Sequence, residues 1–81
     1  MTQFSGKSLL VVGGAGFVGA NLVRALLAAG AAEITIVDNF LSSDRSAVPD
    51  DARVKLIEGS VADDSVLAQL PASPDYAWHL A

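Results

Sequence analysis

An 81-residue chain has room for one domain at most, and a core of that size removes only roughly 60 to 65% of the unfolded surface from water. A net charge of −4 with five basic residues argues against nucleic acid or an anionic membrane as partner, so any bound phosphate has to be held by backbone. Zero cysteines and one histidine exclude a disulfide framework, a thiolate zinc site and a multi-histidine metal cluster; the default expectation is a cytoplasmic location, with no metal.

Residues 1–7 form a short polar lead in which Phe4 is expected to pack at a sheet edge. Leu9 to Val12 is apolar at every position, as a central parallel strand covered on both faces would be. The uncharged run from Ser8 to Val23 follows Lys7 and has the outline of a secretory leader, but four glycines and Asn21 interrupt it and Arg24 closes it. The strand runs directly into Gly13-Gly14-Ala15-Gly16-Phe17-Val18-Gly19, and a helical pattern begins at once.

That turn is suited to a diphosphate, because peptide N–H groups reach an anion closely only where no Cβ stands between them. The positive end of the following helix favours the same anion without any lysine. No Gly-Lys-Ser/Thr closes the turn as it would in a P-loop, which points to a dinucleotide rather than a nucleoside triphosphate. Two templates fit equally, Gly14-x-Gly16-x-x-Gly19 and Gly13-x-x-Gly16-x-x-Gly19, and spacing does not choose between them. The plain alternative is a glycine-rich strand-to-helix turn that binds nothing.

The helix is expected over Phe17 to Ala29, with Val18, Leu22, Val23, Leu26 and Leu27 on its apolar side, Asn21 and Arg24 opposite, and Gly30 at C′. Glu33 to Asp38 reads as the second strand, completing the βαβ context that the glycine pattern requires. Asp38 ends it, where a carboxylate accepts hydrogen bonds from the adenosine ribose and repels a 2′-phosphate, so the cofactor implied is NAD rather than NADP. A solvated strand-end aspartate is the alternative. Asn39 to Asp51 is polar and irregular, with room for a short helical turn, and Arg45 in it reads as a solvated charge.

Arg53 to Glu58 reads as the third strand and Asp63 to Leu70 as a short helix with Val66, Leu67 and Leu70 on one face. Pro71 and Pro74 end that helix, and Asp75 to Ala81 reads as a fourth strand. Right-handed crossovers then give an α/β fold with four parallel strands in the order 3-2-1-4 and helices on both faces, a partial Rossmann fold. A fourth strand carrying Tyr76, Trp78 and Leu80 would offer an apolar edge, to be covered by the remainder of a longer protein or by another copy of the chain.

Taken together, Gly13 to Gly19, Val37-Asp38-Asn39, Glu58-Gly59 followed by Asp63, and His79-Leu80-Ala81 resemble the NAD-dependent epimerase/dehydratase family. These are extended short-chain dehydrogenases that include UDP-glucose 4-epimerase and sugar-nucleotide dehydratases, and the resemblance covers the family's N-terminal portion. It implies that residues 1–81 are the N-terminal half of an NAD(P)-binding domain. Gly13, Gly16 and Gly19 would form the pyrophosphate turn, with amides of Phe17 and Val18 at the helix start. Asp38 would hold the adenosine ribose with Asn39 beside it, Ser60 and Val61 would stand at the adenine, and His79, Leu80 and Ala81 would line the cofactor cleft.

The chain departs from the family's usual pattern at Val12, where threonine is common, and at Ser60, where aspartate is. A loop glycine common after the second strand is also missing, with Ser43 and Asp44 near its place. The family's Tyr-x-x-x-Lys acid/base pair is absent from these residues, since Tyr76 is followed by Leu80 at that spacing. The expectation is the NAD-binding portion of a nucleotide-sugar epimerase or dehydratase without its catalytic residues. The alternative is a non-catalytic module that associates through its sheet edge.

Overall fold

The computed structural model describes residues 3–40, 46, 48–71 and 73–80. Six elements follow in chain order: β1 (Ser8–Val12), α1 (Phe17–Ala28), β2 (Glu33–Asp38), β3 (Val54–Glu58), α2 (Asp64–Leu67) and β4 (Tyr76–His79). The four strands form one parallel sheet in the order β3-β2-β1-β4, as the crossover rule requires.

Register follows from side-chain alternation. Leu9 and Val11 pair with Ile34 and Ile36 and so share a face, onto which α1 lays Val23 and Leu26. The opposite face carries Leu10, Val37 and Ile57, covered by Val66 of α2. Both faces of β1 and β2 are therefore buried, which is why these strands read as continuous apolar runs. Thr35 on the second face is fully buried, and its hydroxyl has no partner among the described residues.

Helix α1 stops as the sequence predicts, in a Schellman motif with Gly30 at C′. The Gly30 amide donates to Leu27 O and the Ala31 amide to Leu26 O. The N-terminal lead is anchored to this corner, with the Gly6 amide donating to Gly30 O at 2.9 Å. Phe4 then reaches the sheet edge, where its ring lies 5.2 Å from Tyr76 and 5.6 Å from Trp78. At the start of β4, the Ser8 amide donates to the Asp75 carboxylate at 2.8 Å while the Asp75 amide donates to Ser8 O.

Two expectations need correction. Val18 was expected on the apolar side of α1 but is 66% exposed; the buried positions are Gly19, Ala20, Val23 and Leu26. At 3.6 residues per turn Val18 lies about 140° around the helix from Val23, so it faces away from the sheet while Gly19 and Ala20 of the same turn are buried. Helix α2 is also shorter than Asp63 to Leu70. Asp63 caps it, accepting from the Ser65 amide, and its last turn tightens into i→i+3 bonds from Gln69 to Val66 O and Leu70 to Leu67 O. Pro71 disfavours the α conformation at Leu70, and Leu67 is left 47% exposed.

Candidate functional site

The order β3-β2-β1-β4 places a switch point between β1 and β4: the chain leaves β1 toward one side of the sheet and later returns to the other. Crevices form at the carboxyl ends of strands at such a point. A cavity of about 130 Å³ lies there, walled by the ends of all four strands: Val12 and Gly13, Val37 to Asn39, Gly59 to Val61, and His79.

Gly13 turns the chain out of β1 with φ 84, in the left-handed region that favours glycine, while its amide still donates to Val37 O at 2.7 Å. Gly19 is needed for close approach, because a Cβ there would stand 2.6 Å from Gly14 Cα. Gly16 is different. Its φ of −73 suits any residue, and an added Cβ would meet nothing nearer than Gly13 O at 3.7 Å. Neither conformation nor internal packing calls for glycine at Gly16, and what a methyl group would occupy is the open space at the start of α1.

That space is where amides remain available. Ala20 is the first residue of α1 to bond back along the helix, to Gly16 O, and no side chain caps the turn. The amides of Phe17, Val18 and Gly19 take no acceptor among the described residues, and together with the helix dipole they form an anion-binding end. Of the other turn amides, Gly13 is taken by Val37 O, Gly16 weakly by Gly13 O at 3.4 Å and Ala15 by the Asp38 carboxylate at 3.1 Å, while Gly14 takes no acceptor among the described residues. Within the turn the Gly13, Ala15 and Gly16 amides are thus engaged internally, and most of the available amides lie at the helix start.

Asp38 is 9% exposed on the cavity wall. One carboxylate oxygen accepts from the Ala15 amide and the other from the Phe40 amide two residues on, at 2.8 Å, in an Asx-type turn after which Phe40 takes a left-handed φ of 59. These two bonds fix the side chain against the glycine turn. An ionised carboxylate only accepts, at up to about four sites, which is the chemistry that pairs with hydroxyl donors. Sequence reasoning missed this double anchoring, since Phe40 carried no motif signal.

Of the positions singled out from sequence, Gly13, Asp38, Asn39, Ser60 and Val61 line this cavity, with Gly16, Phe17, Val18 and Gly19 at the adjoining helix start. His79 joins them from β4, and Val12, Val37 and Gly59, named in the sequence patterns but given no role there, complete the wall. Leu80 is not on the wall; it extends the β4 ladder by donating to Val12 O at 2.8 Å. Ala81, together with Ser42, Ser43, Asp44 and Arg45, lies outside the described residues. Among the described residues no group of three or more histidine, cysteine, aspartate and glutamate side chains could hold a metal ion.

A parallel sheet in the order β3-β2-β1-β4 with a glycine turn, an uncapped helix start and a strand-end carboxylate around a switch-point crevice is a Rossmann-like arrangement. Comparison with known proteins gives the family. The pattern of the NAD dependent epimerase/dehydratase family matches residues 9–81, and the chain belongs to that family. It is 40% identical over 76 residues to dTDP-glucose 4,6-dehydratase of Mycolicibacterium smegmatis, covering 90% of this chain and 23% of that one. It is 54% identical over 55 residues to UDP-glucose 4-epimerase of Corynebacterium glutamicum, covering 68% and 16%. The crystal structure of the Bordetella bronchiseptica enzyme WbmF in complex with NAD+ superposes with a TM-score of 0.94 at 45% identity, over 99% of this chain and 24% of that one. The chain spans about a quarter or less of the length of these relatives.

Proposed function

We propose that residues 1–81 are the N-terminal half of an NAD-binding domain, and that the activity they serve is that of a cytoplasmic nucleotide-sugar epimerase or dehydratase. The observation that carries this is the pairing of an open space at Gly16 with three available amides beside it, next to a carboxylate already fixed on the cavity wall. The amides of Phe17, Val18 and Gly19 would hold the diphosphate, and Asp38 would accept from the adenosine ribose hydroxyls. The same carboxylate opposes a 2′-phosphate, which selects NAD over NADP. NAD supplies the hydride acceptor for transient oxidation of a sugar carbon. The residues present here bind and orient; Tyr76, followed by Leu80, is not part of a Tyr-x-x-x-Lys pair, and the acid/base chemistry falls to residues beyond these.

Titration calorimetry of the chain with NAD, ADP-ribose and NADP tests the reading. Saturable binding of the first two, with NADP weaker and Gly16→Ala reducing NAD affinity by about tenfold or more, supports it. Absence of binding at millimolar NAD overturns it. A reading frame that continues past Ala81 into a Tyr-x-x-x-Lys would place the catalytic pair in the same protein.

A second reading, a non-catalytic module, rests on β4. That strand is paired on one side only, and Tyr76 and Leu80 are 39% and 41% exposed. The remainder of a longer chain or a second copy would cover this edge. Light scattering across a concentration series separates the two, because growth in mass with concentration requires pairing between copies.

A further inference from the structure

Gly14 and Gly19 lie in close contact, since a Cβ on Gly19 would stand 2.6 Å from Gly14 Cα. Between them, residues 15–18 lead into the anion-binding end, and few of their amides are held. Gly16 has only its 3.4 Å bond to Gly13 O, and Phe17 and Val18 take no acceptor among the described residues. The firm tie is at Ala15, whose amide donates to Asp38 Oδ2 at 3.1 Å in a buried contact. The post at the other end of this tie is itself fixed. Asp38 closes β2 in register with Glu58, its carbonyl accepts from the Gly59 amide at 2.9 Å, and its second carboxylate oxygen accepts from the Phe40 amide at 2.8 Å.

A turn with glycine at 13, 14 and 16 has many backbone conformations open to it, and ordering them when a ligand arrives subtracts from affinity. A bond from the sheet to the middle of the turn removes part of that cost beforehand. Without the carboxylate, the Ala15 N–H would be left buried and unpaired, which favours reopening of the turn toward water. We infer that Asp38 is a positioning residue for the diphosphate in addition to its part at the ribose: through Ala15 it presets the turn that leads to the Phe17, Val18 and Gly19 amides. The inference rests on the dinucleotide reading above and adds that its two contacts are coupled through one side chain.

The 2′,3′-dideoxy form of ADP separates the two parts, because it keeps the base and the diphosphate and lacks both ribose hydroxyls. The test is titration of the chain and of Asp38→Ala with ADP and with this compound, followed by amide NMR. Salt at about 0.5 M, with a screening length of roughly 4 Å, mutes the simple loss of a negative charge from the wall. Asp38→Ala is expected to bind the dideoxy compound about fivefold or more weakly than the native chain does, with amide order parameters falling over residues 14–19 and holding in β1. Arg53→Ala, which alters the residue before β3 at the end of the sheet away from the cavity, is expected to keep the dideoxy affinity within about twofold, setting general loosening apart from loss of the tie. An unchanged or tighter dideoxy affinity in a folded Asp38→Ala, with ADP alone weakened, overturns the inference and leaves the ribose contact standing. Should Asp38→Ala fail to fold, Asp38→Asn leaves one oxygen for two amides, and hydrogen exchange at Ala15 and Phe40 shows which bond was given up. Dideoxy affinity that tracks the Ala15 bond supports the inference; a fall with that bond intact, or no fall with it broken, overturns it. Binding of neither compound by the native chain removes the dinucleotide site itself, and the inference with it.

Discussion

At Gly19 a methyl group would meet Gly14 Cα at 2.6 Å, and at Gly16 it would meet only a carbonyl oxygen at 3.7 Å. Two glycines three positions apart in one motif therefore serve different ends, one internal packing and the other an opening for a ligand. Gly19→Ala is expected to cost about 1 to 3 kcal/mol in urea unfolding, since backbone has to shift to admit the methyl. Gly16→Ala is expected to leave the unfolding midpoint nearly unchanged, and a large loss of stability there would remove the argument for an opening. The glycine spacing and the strand-end carboxylate were both legible in the sequence. The division of labour among the amides was not, because the Ala15 amide is claimed by a side chain 23 residues away, and no local pattern encodes that meeting.

Among the elements, α1 shows where periodicity informs and where it stops. The stripe through Val23 and Leu26 was readable because those residues lie over the sheet, and both are essentially buried. Val18 was apolar too, but its helical phase puts it about 140° from Val23, on the side away from the sheet. Leu26→Ala is expected to destabilise the chain by about 2 to 5 kcal/mol, enough to unfold most of a domain this small, as far-ultraviolet circular dichroism would show. The entry to β3 is held by a different device. The Arg53 guanidinium pairs with Asp51 at 2.9 Å and also donates to Leu27 O at 3.2 Å, tying the start of β3 to the last turn of α1.

Hydrogen bonds from the Arg53 side chain and amide hold the Asp51 carboxyl down to about 2, below its ordinary 3.8. A carboxyl depressed on folding contributes stability that is present above its unfolded value and is lost as pH falls through the folded one. The contribution is therefore intact at pH 5 and gone near about pH 2. Asp51→Asn is expected to flatten that part of the acid unfolding profile, a small effect because the pair is partly exposed to solvent and screened by salt. Equal acid sensitivity in the variant and the native chain would show that other carboxylates account for the loss.

For the molecule as a whole, topology was the most legible level. Four strands linked by right-handed crossovers have few arrangements open to them, and each strand announced itself by clustered apolar residues, leucine and valine in β1 and aromatics in β4. The extent of α2 was less legible, because its end is set by the conformation that Pro71 imposes on its neighbour rather than by apolar spacing. A chain with so small a core has little stability in reserve, so ligand linkage should be easy to detect. NAD at one hundred times its dissociation constant is expected to add about 2.7 kcal/mol to the unfolding free energy, read as a rise in melting temperature that scales with the logarithm of ligand concentration. A melting temperature indifferent to NAD would contradict binding to the folded state.

The one tryptophan of the chain, Trp78, belongs to the outermost strand, with its ring 5.6 Å from Phe4 and 6.2 Å from Tyr76. Its fluorescence consequently reports on the sheet's margin and not on its centre. Peeling of that margin would change the emission while the helical dichroism of α1 stayed intact, so the two optical signals together can distinguish fraying from global collapse without any introduced label.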